Sequence, residues 1–552
     1  MNTRDLAKAA FAAICMSIVA AATQSCQIIS GLDRLDAEGS SSSSSGGGTP
    51  CEPGEMQACY SGPPATMGVG VCHGGTQTCE ADGSKPCSGE VTPQAVENCA
   101  DEIDLNCDGA PPLVCSGVIQ KAYVGGNTGL DAGQAVAVDS KGNAIFVGEY
   151  VGMMTFGDKP LDVPPGMGAN VFVVKLDPTG AVLWAKSFGG DGYDIGISVA
   201  VGKDDTIVLT GMYSNSMTFG GDVLTAKPMG DIFLAKLDPD GDPLWGRSFG
   251  GDGADVGHGV VVDAQGTIFL TGYHNAICDF GSTVLPGPFN SQDDAFVAKI
   301  SPDGVLLWAV GVAGGGFENG YGVTTDSAGD VVVAGRGYGD ITIGASKVPG
   351  NPENGALLFK IDGDTGDLLW GKIFGPSTMG ANQIVYDVAR GGGDDDLVIV
   401  GHFEKSIDFP PKLPIAGADG LDVFVAKLDK NGNGIWSQAF TGAMNDVAYE
   451  VDVDGFGNIL VGGAFTVSLE LYEQLIQSGG GVDGFAAKFR PDGSLLWAQA
   501  LHGTGNDGVH GVAIDPGGTS YITGPVDGSV IFNEMPFVSA GAGDAFLVKI
   551  AP

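Results

Sequence analysis

Apolar residues in this chain fall in runs of four to eight, unbroken or alternating with polar ones, and Gly, Asp, Asn or Pro closes each run. That punctuation predicts strands, since a helix would need a 3.6-residue period over a longer stretch. One run carries a lysine near its end and is followed by a turn and a tryptophan. It reads NVFVVKLDPTGAVLW at 170–184, DIFLAKLDPDGDPLW at 231–245, DAFVAKISPDGVLLW at 294–308 and GALLFKIDGDTGDLLW at 355–370. It returns as DVFVAKLDKNGNGIW at 422–436 and DGFAAKFRPDGSLLW at 483–497, and ends as DAFLVKI at 544–550 without a tryptophan. The lysines stand at 175, 236, 299, 360, 427, 488 and 549, a period of 61 to 67 residues, and all six tryptophans occupy this one slot. A period of that size marks a propeller or a similar array.

Each unit reads as four strands. In the first unit these are Val136–Asp139, Ile145–Tyr150, the lysine strand and the tryptophan strand, with a connection of about 20 residues holding a short FG segment. There are seven first, second and third strands but six tryptophan strands. The unassigned segment Val118–Gly126 (VIQKAYVGG) ends much like LWAKSFGG at 183–190, and it is expected to supply the missing strand. A ring closed this way leaves no long unpaired sheet edge. The expected fold is therefore all-β, a seven-bladed β-propeller of four-stranded blades over 116–552, closed by an N-terminal strand. Composition agrees: Gly 93 and Pro 29 disfavour helices, while 43% hydrophobic residues exclude a disordered chain.

The repeated pattern F-V-x-K-[LI]-x-P-x-G-x-x-x-W followed by F-G-G resembles the SBBP (seven-bladed β-propeller) repeat family over roughly 80% of the chain. The resemblance implies the fold and an exported bacterial protein, and it implies no specific chemistry. KIDGDTGDLLW at 360–370 also resembles the repeat of quinone-dependent alcohol dehydrogenases, but the adjacent cysteine pair of that family is missing, since 116–552 holds Cys278 alone. Cys278 aligns with Met154 and Met217 and is expected to be a buried small hydrophobe. The tryptophans are expected to pack blade on blade.

The N-terminus reads as an export signal over residues 1–25. Arg4 and Lys8 precede 14 residues, Ala9–Ala22, broken only by Ser17 and too short to cross a bilayer. Ser25-Cys26 resembles the end of a bacterial lipobox, which implies lipidation of Cys26; Thr23 departs from that pattern, and ordinary cleavage after Ala22 is the alternative. Residues 26–50 form a Gly/Ser-rich tether. Over 51–115 stand Cys51, Cys59, Cys72, Cys79, Cys87, Cys99, Cys107 and Cys115, an even count that implies a disulfide-rich module. Zinc competes poorly, because at least six residues separate every pair. Asp104, Asn106 and Asp108 alternate before Gly109, the spacing of the first half of a calcium loop, although Cys115 fills its twelfth position. The same stretch resembles the NCDG-ending metal-binding repeats of exported bacterial proteins. An Asx-rich turn held by disulfides explains it as well.

Lys plus Arg number 26 and Asp plus Glu 66, so the net charge is 26 − 66 = −40. Such a surface repels phosphate backbones, and nucleic acid is excluded as a partner. No HExxH, GxSxG or phosphate-cradling loop occurs. Aligning the units exposes two rings. Gln134, Ile197, His258, Tyr321, Tyr386, Tyr449 and His510 stand two residues before the first strand; three residues earlier come Asp131, Asp194, Asp255, Glu318, Gln383, Asp446 and Asp507. A second, mostly acidic set stands five residues before the lysines: Asn170, Asp231, Asp294, Asp422, Asp483 and Asp544, with Gly355 breaking the pattern. Both rings are expected at one mouth of the central channel. The aspartates suit tight-turn capping. They also suit a face that collects Ca²⁺ or a cationic or glycan ligand, with His258, Tyr321, Tyr386, Tyr449 and His510 as the specific contacts.

The expected function is a non-enzymatic binding scaffold, held to a membrane by a lipid and facing an unidentified protein or glycan. The expected place is the outer membrane or cell surface, with the periplasm or secretion as alternatives. The competing class is an extracellular glycan lyase or hydrolase with its site at the channel mouth. The two differ in whether the His and Tyr candidates converge in one pocket.

Overall fold

The structure, a computed structural model, describes residues 56–78, 87–93, 107, 115–161, 168–288, 292–375, 381–412, 414–472, 474–532 and 535–552. Cys26, Cys51, Cys79, Cys99, Asp104, Asn106 and Asp108 lie outside the described residues, as do the signal and the tether. The chain divides into two compact units. The smaller holds the hairpin of Met56–Cys59 with Gly75–Thr78 and the disulfide Cys59–Cys87. In the larger unit Cys72 is bridged to Cys107, and Cys115 is also disulfide-bonded. Gly62–His73 belongs with the larger unit, so the cysteine-rich segment is shared between the two.

The larger unit is a β-propeller. Its strands group into antiparallel sets of four. The first set runs Ala132–Val138, Ala144–Val151, Ala169–Leu176, Val182–Phe188 from inside to outside, each paired with the next. The inner strands among the described residues include Ala132–Val138, Ile195–Val201, Asp255–Val262, Asn319–Thr325, Gln383–Arg390, Val447–Val453 and Gly511–Ile514. No α-helix occurs among the described residues.

The two middle strands of each set are buried on both faces, which is why their sequences are unbroken apolar runs such as AIFVGEYV. Apolar cores lie between successive sets rather than within them. Phe188 and Phe219 stack with centroids 4.3 Å apart between the first and second sets. The last core joins Phe146, Tyr150 and Phe172 of the first set to Ala513, Tyr521 and Leu547 of the last. Cys278 is fully buried between Phe249, Phe280 and Leu285, and that burial raises its thiol pKa, so it packs as a hydrophobe.

The repeated motif explains how sets dock. The turn glycine of each D-P-x-G segment takes a left-handed φ, +81° at Gly241, and a side chain there would strike Trp184 of the preceding set at 3.0 Å. The tryptophans also donate forward: Trp245 Nε1 to Pro302 O at 3.1 Å, Trp308 to Gly363 O at 3.3 Å, and Trp436 to Pro491 O at 3.1 Å. The motif lysines do the same, Lys175 Nζ to Pro239 O at 3.0 Å and Lys299 to Gly363 O at 2.7 Å.

The last set is completed from the other end of the chain. Ile119–Gly125 pairs antiparallel with Asp544–Ile550, in register from Ile119↔Ile550 to Gly125↔Ala545, which is the pairing that the strand count demanded. Lys121 lies opposite Lys549 as Trp184 lies opposite Lys175, so a lysine fills the tryptophan slot here. Lys121 Nζ donates to Gly180 O of the first set at 3.0 Å, and the Tyr123 hydroxyl bonds the same carbonyl. Gly125, not an aromatic residue, takes the place of Phe188, and Phe156 fills the space beside it.

Candidate functional site

Six of the inner strands carry a β-bulge at the same point, and Gly511–Ile514 pairs without one. The ladder skips a residue at Gln134, Ile197, His258, Tyr386 and Tyr449, and skips Tyr321 with Gly322. A bulge frees one residue from pairing and re-aims its side chain. Here these side chains turn into a central cavity of about 660 Å³, within the range of small-ligand sites. His510, just before the inner strand Gly511–Ile514, completes the circle, with its Nδ1 within hydrogen-bond distance of Gln134 Oε1 at 3.1 Å.

The five His and Tyr candidates converge. His258 to Tyr321 is 5.1 Å between ring centroids, Tyr321 to Tyr386 5.2 Å, Tyr386 to Tyr449 5.5 Å, and Tyr449 to His510 5.4 Å. Edge-to-face and tilted contacts at these separations are the favourable arrangement for aromatic quadrupoles. The rings form one unbroken arc through five consecutive sets. Desolvation holds His258 and His510 down to about 4, so both imidazoles are neutral near pH 7. It also raises the Tyr321 phenol to about 12.

The acidic candidates are elsewhere, and their expected place at the channel mouth is corrected. Asp131, Asp194, Asp255, Asp446 and Asp507 are buried under the connecting loops and are absent from the cavity wall. The reason is backbone accounting. Asp131 accepts N–H bonds from Asn127 and Val151, both at 2.8 Å, and Asp194 from Gly190 at 3.0 Å and Ser214 at 3.4 Å. Asp255 accepts from Gly251 at 2.7 Å, Asp446 from Thr466 at 3.0 Å, and Asp507 from Asp527 at 2.8 Å. Each carboxylate thus clamps a loop that would otherwise leave buried N–H groups unpaired. The further acidic set works alike: Asp483 accepts from Gly479 and Gly503, both at 2.7 Å. The two acidic sets meet in pairs. A side chain at Gly250 would lie 2.7 Å from Asp231 Oδ1 and 2.8 Å from Asp255 Oδ2, so glycine leaves room for both carboxyls. No cluster of three or more His, Cys, Asp or Glu side chains suited to a metal occurs among the described residues.

The cavity holds acids that the repeat alignment passed over. Asp387, Glu450 and Asp452 line it together with Ser198. The bulge places two successive residues on one face, so the residue after each ring position also looks inward. In chain order that next residue is Ala135, Ser198, Gly259, Gly322, Asp387, Glu450 and Gly511. Two acids in a slot otherwise held by small residues were the available signal. Several of these polar groups reach the next inner strand: Val260 N donates to Ser198 Oγ at 3.3 Å, Val451 N to Asp387 at 3.0 Å, and Ile514 N to Asp452 at 2.7 Å. Burial lifts Asp387 to about 7 and pushes Glu450 and Asp452 upward as well. The wall's one basic residue, Arg390, is tied to Asp395 at 2.9 Å.

No family model matches the chain. It is 22% identical over 507 residues to an uncharacterized WD repeat-containing protein of Acanthamoeba polyphaga mimivirus, covering 74% of this chain but about a third (36%) of that relative. Solved structures similar to it include the Dos1 propeller, with TM-score 0.37 and 8% identity, covering 78% of this chain and 95% of that one. Another is the β-propeller domain of the Trilobed protease from Pyrococcus furiosus, with TM-score 0.35 and 8% identity, covering 78% and 94%.

Proposed function

We propose that the chain is an exported, lipid-anchored binding protein, a seven-bladed propeller closed by its N-terminal strand, whose ligand site is the central cavity. The arc of five rings from His258 to His510 carries this reading: a channel filled only for stability would need no continuous aromatic wall around an open volume of about 660 Å³. Seven inter-set cores and the contacts of Lys121 and Lys549 with the first set's turn support the blade count and the closure. In a thermal-shift panel of glycans and small organic ligands, at least one compound is expected to raise the melting temperature of wild type. That shift should vanish in Tyr386→Leu. A panel that leaves wild type unmoved, or moves both alike, sinks the cavity reading.

Anchoring rests on the Ser25-Cys26 junction and the tether behind it. Cys26→Ser is expected to move the protein from the membrane fraction to the soluble fraction. A single acyl chain binds membranes only marginally, and several bind firmly, so the redistribution should be nearly complete. Wild type and variant both found soluble would instead support ordinary cleavage after Ala22.

A second reading, a glycan lyase or hydrolase, rests on Asp387. A carboxyl held at about 7 beside Tyr386 and the neutral imidazoles has the acidity that general acid–base chemistry uses. Sugar release from extracellular polysaccharides by wild type, lost in Asp387→Asn, would favour it over binding alone.

A further inference from the structure

We propose that the central cavity takes an organic ammonium cation, held between the faces of the aromatic arc and the carboxyls of Asp387, Glu450 and Asp452; this rests on the cavity being the binding site. Three observations converge on that class.

The first is charge. Of the charged side chains on the wall three are acidic, and none of the three forms an ion pair among the described residues. The single arginine is committed to Asp395. Asp387 Oδ2 accepts from Val451 N–H, and Asp452 accepts from Ile514 N–H on one oxygen and Val453 N–H on the other; all three donors are neutral, and each carboxylate oxygen keeps a further lone pair for a ligand's N–H. An uncompensated carboxylate in such a place is costly, and a bound cation removes the cost.

The second is the wall itself. His258, Tyr321, Tyr386, Tyr449 and His510 present successive π systems along the arc, with both imidazoles uncharged. Aromatic faces attract cations, and an array of them is how alkylammonium groups are recognised. A neutral sugar would gain from the same stacking, but it gives three carboxyls no charge to meet.

The third is size and ligand type. A bare metal ion would need several converging donors in close geometry, and the described residues offer no such cluster. The space of about 660 Å³ suits a molecule with an aliphatic body and one or more ammonium groups. Gln134 and Ser198 on the same wall add oxygen acceptors for N–H donors.

The test is calorimetry on the purified full chain with three probes: spermidine, choline and the neutral disaccharide cellobiose. An ammonium probe is expected to bind, with its dissociation constant raised about tenfold or more in Glu450→Gln and in Asp387→Asn. The amide oxygen that Asp387→Asn introduces can still accept from Val451 N–H, so the strand contact survives in that variant. Tyr386→Phe keeps the π face and should bind within about twofold of wild type, whereas Tyr386→Leu should lose about tenfold. Carboxamide variants that bind the ammonium probes as wild type does would overturn the proposal. Cellobiose binding that depends on Tyr386, with no ammonium binding, would overturn the ligand class and leave the cavity reading standing. If no probe binds in a Tyr386-dependent way, the ligand class and the cavity reading fall together.

Discussion

Deleting residues 118–126 is expected to cost most of the propeller's stability, so that the variant is recovered largely insoluble or melts more than about 10 °C lower. The segment is the outer strand of the last set, paired with Asp544–Ile550 along six register positions. Its backbone bonds alone are worth about 0.5–1.5 kcal/mol each. Ile119 is buried in the core that holds Trp497, and Lys121 and Tyr123 join the last set to the turn of the first. Losing these contacts exposes apolar surface and a bare sheet edge together. Domain stabilities of roughly 5–15 kcal/mol leave little margin for such a loss. Circular dichroism melting on the deletion variant checks it; a transition at the wild-type temperature would mean that the ring does not depend on this strand.

The protein is expected to melt higher near pH 6 than near pH 8, by roughly 5–10 °C. Asp194, Asp255, Asp446 and Asp507 are raised by burial from 3.8 to about 7. In the unfolded chain they lose their protons around pH 4, whereas in the folded chain they keep them until about pH 7. The folded state therefore binds more protons throughout that window, and stability falls as pH rises through it. The imidazoles oppose this at the acid end. His258, His402 and His510 are lowered from 6.5 to about 4, so the unfolded chain takes up protons first and their contribution to stability falls as pH drops below about 6. Between about pH 4 and 6.5 the three imidazoles offset three of the four carboxyls, so stability changes little there, and the steep loss falls between about pH 6.5 and 7.5, where the carboxyls act alone. Asp255→Asn separates the local effect from general charge repulsion: its amide oxygen still accepts from Gly251 N–H but cannot ionise. It should raise the melting temperature at pH 8 and change it little at pH 5. Equal shifts at both values would contradict the assignment.

The repeat was legible because neighbouring sets impose the same packing on every unit. The lysine and tryptophan serve the next set's turn, and that turn needs its glycine, so all three recur at fixed spacing. The strand missing from the last unit followed from counting. The acidic rings were misplaced because sequence shows a recurring Asp without showing its partner. Asp194 and its counterparts recur for the sake of backbone N–H groups, one of them about 20 residues onward. Asp387 and Glu450 escaped notice for another reason: strict two-residue alternation assigns them to the face opposite Tyr386 and Tyr449. The bulge, invisible in the alternation, puts both on the cavity.

The tryptophan that leans on the next set's turn glycine makes the interface between sets a repeated lock and key. Any set is cut to receive the one before it, so internal duplication or loss of a whole unit would leave every surviving joint well matched. The seam between last and first sets is keyed differently, with Lys121 and Tyr123 gripping Gly180 where a tryptophan stands at the other joints. The odd key marks where the circle begins.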